Sequence, residues 1–158
     1  MKGYHLPPFE TLIDKLESLP GVGEKTANRL AYHIINMDRD DALAIADAIY
    51  RCREKIGFCP VCCNLTDGGL CSLCRDEKRD KSIICVVEEP KDVLAFERTD
   101  NYNWCYHVIH GVISPLAGIG PDQLRIRELL ARVGPGLKEV IMATSPNVEG
   151  DATAIYIS

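Results

Sequence analysis

The stretch CPVCCNLTDGGLCSLC, residues 59–74, constrains the fold more than any other part of the chain. It places Cys59 and Cys62 in one Cys-x2-Cys pair and Cys71 and Cys74 in a second. Two such pairs, each on a tight turn, bring four thiolates together in the tetrahedral arrangement that suits zinc. Asp67, Gly68 and Gly69 supply the chain reversal between the pairs. Four protein ligands leave no open position, so the predicted Zn²⁺ holds structure and does no chemistry. Cys63 adjoins Cys62, cannot easily reach the same metal, and is left out of the ligand set. Eight cysteines are many for 158 residues. In a secreted chain they would suggest disulfides. In a reducing compartment they read as metal ligands first and small hydrophobes second. Cys52, Cys85 and Cys105 fall in helix or strand patterns and are expected in the core.

On either side of this stretch the apolar pattern changes. Residues 1–57 read as helical: Phe9, Leu12, Ile13, Leu16 and Leu19 share one helical face, and Ala27, Leu30, Ala31 and Ile34 share another. Asp38, Asp40 and Asp41 sit where a third helix begins, and Gly57 stops it. Residues 58–80 form the cysteine-rich part. From 81 to 158 apolar strands alternate with helices: SIICVVEE, a helix from Pro90 to about Thr99, YHVIHG, a Gly/Pro loop, a helix at 122–132, LKEVIMAT, a loop at SPNVEG, and a helix beginning in DATAIYIS. The predicted fold class is therefore α+β in several parts, ending in an α/β unit with a mostly parallel sheet.

No apolar run approaches the ~20 residues that span a bilayer, so no membrane segment is predicted. MKGYHLPPFE lacks an apolar core followed by a small-residue cleavage site, so no secretory signal is expected and the cytoplasm is the default location. The net charge of -5 would not by itself point to nucleic acid, but a local patch is independent of the total.

LPGVGEKTANRLA, residues 19–31, looks built to hold an anion. Gly21 and Gly23 permit a tight hairpin between two helices and expose backbone N–H groups at the start of the second. Lys25 and Arg29 are four residues apart, hence on one face of that helix. The anion this suits is a nucleic-acid phosphate, contacted without sequence readout. The same glycines could instead merely turn the corner of a plain helical hairpin.

Carboxylates gather near the predicted strand ends: Glu88 after SIICVV, and Glu149-x-Asp151 after IMAT. In a parallel α/β unit, sites collect at the carboxyl ends of strands, where these groups could meet around Mg²⁺. Acids at helix N-termini are also common caps. His107 and His110 lie on or beside a strand and are expected to be packed or exposed rather than catalytic. No GxxxxGK[ST] loop occurs, so no ATP hydrolysis is expected.

Taken in order, LPGVGEKTANRLA, CPVCCNLTDGGLCSLC, RDKSIICVVEEPKDVLAFE, YHVIHGVISPLAGIGP and ATSPNVEGDATAIYIS closely resemble the bacterial recombination mediator family RecR, from about Phe9 to Ser158. The resemblance implies a helix–hairpin–helix, a four-cysteine zinc finger and a Toprim domain. It implies a non-catalytic protein that binds single- and double-stranded DNA and forms a homo-oligomeric, tetrameric ring near the nucleoid. It also implies work with RecO and RecF in loading RecA onto strands coated by single-strand-binding protein. Lys25 and Arg29 match the basic face of the family's hairpin; Cys59, Cys62, Cys71 and Cys74 match its zinc ligands. Glu88 matches the Toprim glutamate, with Glu149 and Asp151 in place of the acid-x-acid pair, as candidate Mg²⁺ or partner-docking residues. A Mg²⁺-dependent nuclease or strand-transfer enzyme is the alternative those acids leave open. Two departures stand out. Cys63 occupies a position where the family often has glycine. RecR-like chains also continue beyond the equivalent of Ser158, which implies an open sheet edge and impaired ring closure here.

Overall fold

The structure, a computed structural model, describes residues 5–158. It divides into two compact units, one running to Glu54 and the other from Lys55 to Ser158.

The first unit is helical. α1 (Pro7–Glu17) and α2 (Glu24–Asn36) are joined by the glycine turn, and α3 (Arg39–Lys55) follows. Pro7 opens α1, where a missing N–H costs nothing. Ala27 and Ala31 are the fully buried residues of α2; their small side chains allow a close approach that larger ones would prevent. Phe9 and Tyr32 meet edge to face, ring centroids 4.9 Å apart. α3 buries none of its residues, so Cys52 is exposed and not in a core as its helical pattern suggested.

In the second unit, β1 (Gly57–Phe58) and β2 (Leu65–Thr66) form an antiparallel ribbon, and α4 (Ser72–Arg75) is a single turn. Next come β3 (Asp80–Val87), α5 (Pro90–Glu97), β4 (Trp104–Val108), α6 (Ile126–Leu130), β5 (Glu139–Ala143) and α7 (Val148–Ile157). The sheet order is β4-β3-β5, all parallel. β3 lies in the middle and is apolar on both faces, as a strand covered from two sides must be. Cys85 and Val87 join Val93, Tyr106 and Val108 in one layer; Ile84 and Val86 join Ile109 and Leu129 in the other. Val87 pairs with both Val108 and Ala143, so the three strands end side by side and their following loops converge.

The Arg79 guanidinium bridges both oxygens of Glu97 and also donates to the Trp104 carbonyl at 3.0 Å. Tyr106 donates its hydroxyl to the same carboxylate at 2.9 Å. This partly buried, forked contact fastens the segment leaving the cysteine-rich part to α5 and β4.

Two elements differ from expectation. The helix anticipated at 122–132 is a 3-10 turn (Pro121–Gln123) followed by α6, because Leu124 is extended and the Arg125 N–H donates to the Ile109 carbonyl at 3.1 Å. The last helix begins at Val148, inside the anticipated SPNVEG loop, because the Asn147 side chain caps the Gly150 N–H at 2.7 Å.

Candidate metal centre and nucleic-acid interface

Cys59, Cys62, Cys71 and Cys74 present four Sγ atoms that lie within 4.8 Å of one another. A tetrahedron with Zn–S bonds near 2.3 Å has edges of about 3.8 Å, so the set fits this metal. Cys62 and Cys71 approach to 3.4 Å. The first three are buried and Cys74 is partly so. The Cys71 N–H points at the Cys59 sulfur, 3.5 Å away. Burial alone would raise the Cys59 thiol, but the N–H groups of Cys71, Cys62 and Val61 outweigh it and bring the pKa down to about 6. Cys62 is pushed up by its hydrogen bond to Cys74 and by burial, and Cys71 is pushed up to about 11 by burial. Four crowded sulfurs cannot all become anions without a cation among them, and Zn²⁺ is the cation that tetrahedral sulfur selects.

Gly68 and Gly69 both hold positive φ, 152° and 57°, and make the reversal expected of them. Cys63 is buried, outside the sulfur cluster, and also in the left-handed region with φ 60°. Glycine adopts that conformation without strain, which gives a physical reason for glycine to be favoured there.

The glycine turn of the helical unit carries Gly21 at φ 79° and Gly23 as the extended N-cap of α2, φ −90° and ψ 170°. Gly23 accepts from the Thr26 and Ala27 N–H groups through its carbonyl. No side chain caps this terminus. The N–H groups of Gly23, Glu24 and Lys25 have no acceptor among the described residues. Lys25 and Arg29 are exposed and make no ion pair with a described residue. Open amides, the positive end of a helix and two free cations form a surface suited to an anion.

A second glycine hairpin was missed in the sequence. LAGIG (116–120) repeats the LPGVG pattern, and its backbone repeats the conformation: Gly118 at φ 71°, Gly120 at φ −99° and ψ 170°. Its chemistry is different. Pro121 has no N–H, Gly120 donates to Gln123 Oε1 at 2.7 Å, and Asp122 takes Arg127 at 2.8 Å. Apart from the Asp122 N–H, the donors at its start are absent or satisfied internally, so the second hairpin offers fewer open amides than the first.

The carboxylates at the strand ends have separate partners. Glu88 accepts from the Ser145 N–H at 2.6 Å and from Ser145 Oγ at 3.0 Å, bracing the end of β3 against the β5–α7 loop. Glu149 accepts from Ser114 Oγ, which holds the Gly/Pro loop against α7. Asp151 is exposed in the first turn of α7. Among the described residues, the four-cysteine set is the only group of three or more metal-binding side chains whose ligand atoms converge. The Mg²⁺ trio expected of Glu88, Glu149 and Asp151 is not among the converging groups. Thr153, also missed, is fully buried and accepts from the Ile113 N–H at 2.8 Å while donating to the Glu149 carbonyl at 2.7 Å. His107 is buried and bonded through Nε2 to the Arg125 carbonyl at 2.7 Å; burial pushes its pKa down to about 4.

A helix–hairpin–helix, a four-cysteine knuckle and a parallel α/β unit together define a modular protein whose last part is of the Toprim class. Family models agree segment by segment: the RecR helix-hairpin-helix over residues 9–52, the RecR four-cysteine zinc finger domain over 56–76 and the Toprim domain over 82–158. The chain is 53% identical over 156 residues to Recombination protein RecR of Heliobacterium modesticaldum, covering 98% of this chain and 78% of the relative. It is 54% identical over 150 residues to Recombination protein RecR of Paenarthrobacter aurescens, covering 94% of this chain and 75% of the relative. The chain belongs to the RecR family of recombination proteins.

Proposed function

We propose that this protein is a non-catalytic, DNA-binding mediator of recombinational repair. The observation that carries the reading is the α2 terminus, where open amides of Gly23, Glu24 and Lys25 lie beside the uncommitted cations of Lys25 and Arg29. Phosphates of single or double strands bind there, and the contact positions the strand without reading it. Zinc at Cys59, Cys62, Cys71 and Cys74 stiffens the middle of the chain. Glu88, Glu149 and Asp151 serve as a brace and as an acidic docking edge for partner proteins, with RecO and RecF as the partners and RecA loading as the outcome. No helix among the described residues is long and apolar enough to cross a membrane. The reading places the protein in the cytoplasm, at the nucleoid. Large exposed apolar residues on α3, Leu43, Ile49 and Tyr50, favour assembly into a homo-oligomeric ring.

The test is fluorescence anisotropy of labelled single- and double-stranded DNA across a salt series. The native chain is compared with Lys25→Glu/Arg29→Glu. The native chain should weaken steeply with salt, and each lost phosphate contact should reduce the log–log slope by about 0.7–0.9. The double variant should lose binding to both DNA forms. Undiminished binding by the variant refutes the hairpin assignment.

A further inference from the structure

Three non-glycine residues hold positive φ among the described residues: Cys63, Asp100 and His110. Two of the three are hydrogen-bonded to each other. His110 Nε2 lies 2.7 Å from the Cys63 carbonyl, and both residues have φ 60°. A carbonyl only accepts, so Nε2 carries the hydrogen and donates. Two residues earlier, the Val108 N–H donates to the Cys62 carbonyl at 2.9 Å. The end of β4 therefore grips two successive carbonyls of the knuckle that holds a zinc ligand. Phe58 of β1 meets the same imidazole edge to face, centroids 4.5 Å apart. A left-handed residue with a β-carbon is strained by ~1 kcal/mol or more, and such strain persists only where surrounding contacts over-determine it.

The other side of His110 is equally committed. Ile109 donates to the Val87 carbonyl at 3.0 Å and Gly111 to the Glu88 carbonyl at 3.0 Å. Glu88 in turn holds Ser145 through both carboxylate oxygens. A continuous hydrogen-bonded path runs from the Cys62–Cys63 carbonyls, through residues 108–111, to Glu88 and the β5–α7 loop. All of it lies within one compact unit.

The structure assigns to His110 a role that neither the zinc site nor the hairpin accounts for: it is the positioning residue that makes the carboxylate-bearing strand ends answer to the zinc knuckle. A closed knuckle offers its carbonyls in the orientation His110 and Val108 require. An open knuckle withdraws them, and the strained His110 backbone relaxes. The Gly111–Glu88 and Glu88–Ser145 bonds then lose their support. The partner-docking edge is thereby formed only on the zinc-loaded protein.

The test uses the full chain and no DNA, so its outcome is separate from that of the hairpin reading. Hydrogen exchange is followed by mass spectrometry with zinc bound and after zinc removal by chelator. In the native chain, removal should speed exchange in residues 108–113 and 144–150 by about tenfold, the effect of losing one net hydrogen bond. Peptides from α1 and α2 should not change. Two variants separate the hydrogen bond from the backbone. His110→Asn tolerates positive φ but its amide is too short to reach Cys63; His110→Gln places an N–H near the position of Nε2. With zinc bound, the Asn variant should exchange at 144–150 like the zinc-free native chain, and should surrender zinc to a chelator faster. The Gln variant should restore protection. Equal protection of 144–150 with and without zinc in the native chain overturns the assignment. So does an Asn variant that matches the native chain in both exchange and zinc release.

Discussion

Gly150→Ala tests how tightly the strand-end loops are built. A β-carbon added at Gly150 would lie 2.1 Å from the Ser145 carbonyl oxygen and 3.1 Å from the Ser145 nitrogen and carbonyl carbon. The obstacle is backbone, so no side-chain rotation relieves it. Ordinary contact begins near 3.4 Å, so loop and helix must part by more than 1 Å. That movement pulls Ser145 from Glu88 and strains the Thr144 Oγ1 bond to the Gly150 carbonyl, 3.1 Å long. Overpacking of this kind costs roughly 1–3 kcal/mol, and each lost hydrogen bond about 1 kcal/mol more. Alanine returns about 1 kcal/mol through its helix propensity. The net expectation is a loss of roughly 3 kcal/mol, which for a chain of this size lowers Tm by about 10 °C. Differential scanning calorimetry of the zinc-loaded protein measures it. Gly136→Ala is the control, because its β-carbon would meet nothing within 4 Å. It should leave Tm unchanged or slightly raised. A Gly150→Ala variant melting within about 2 °C of the native chain would show that the loop yields freely, and the reasoning from close approach would fail.

Two further outcomes follow from the same geometry. Cys62→Ser should abolish stoichiometric zinc binding and lower Tm, whereas Cys63→Ser should keep one zinc per chain by metal analysis, since Cys63 lies outside the sulfur cluster. His107 is held neutral by burial, with its pKa pushed down to about 4, and Arg132 Nη1 lies 3.3 Å from Nδ1 with Glu128 nearby. The unfolded chain takes up this proton near pH 6.5 and the folded chain does not, so its contribution is intact above that pH. It falls as pH drops toward 4, by roughly 3 kcal/mol in total. Zinc thiolates also protonate on acidification, so the measured quantity is the difference in acid slope between native and His107→Gln proteins. Parallel slopes would refute it.

The sequence made the four ligands legible because metal geometry fixes their spacing. β3 was legible because a strand buried on both faces must be apolar throughout. The break at residues 124–126 was not read, although a signal existed. Leu124 and Ile126 are both buried two residues apart, a strand-like period inside an otherwise helical pattern. The strand-end acids were found as residues but not as a site. Glu88 reaches Ser145 across 57 positions only because β3 and β5 are parallel and in register. The positive φ of Cys63 and His110 had only weak signals: Cys63 stands where the family often has glycine, and histidine is one of the few non-glycine types enriched in that region, but neither fixes the conformation. The LAGIG hairpin shows the reverse problem. There the pattern and even the backbone repeat, yet a proline and a glutamine side chain leave fewer open amides.

The buried cluster of the cysteine-rich segment consists of Cys59, Cys62 and Cys71, with Leu73 and Cys74 beside it. Apart from one leucine, the residues of this cluster are the metal ligands. Its folding free energy is therefore in large part zinc-binding free energy. Sudden loss of the metal exposes a locally unfolded segment in the middle of the chain, where quality-control proteases act. The resistance of this segment to unfolding is then tied to the metal rather than to an apolar core of its own.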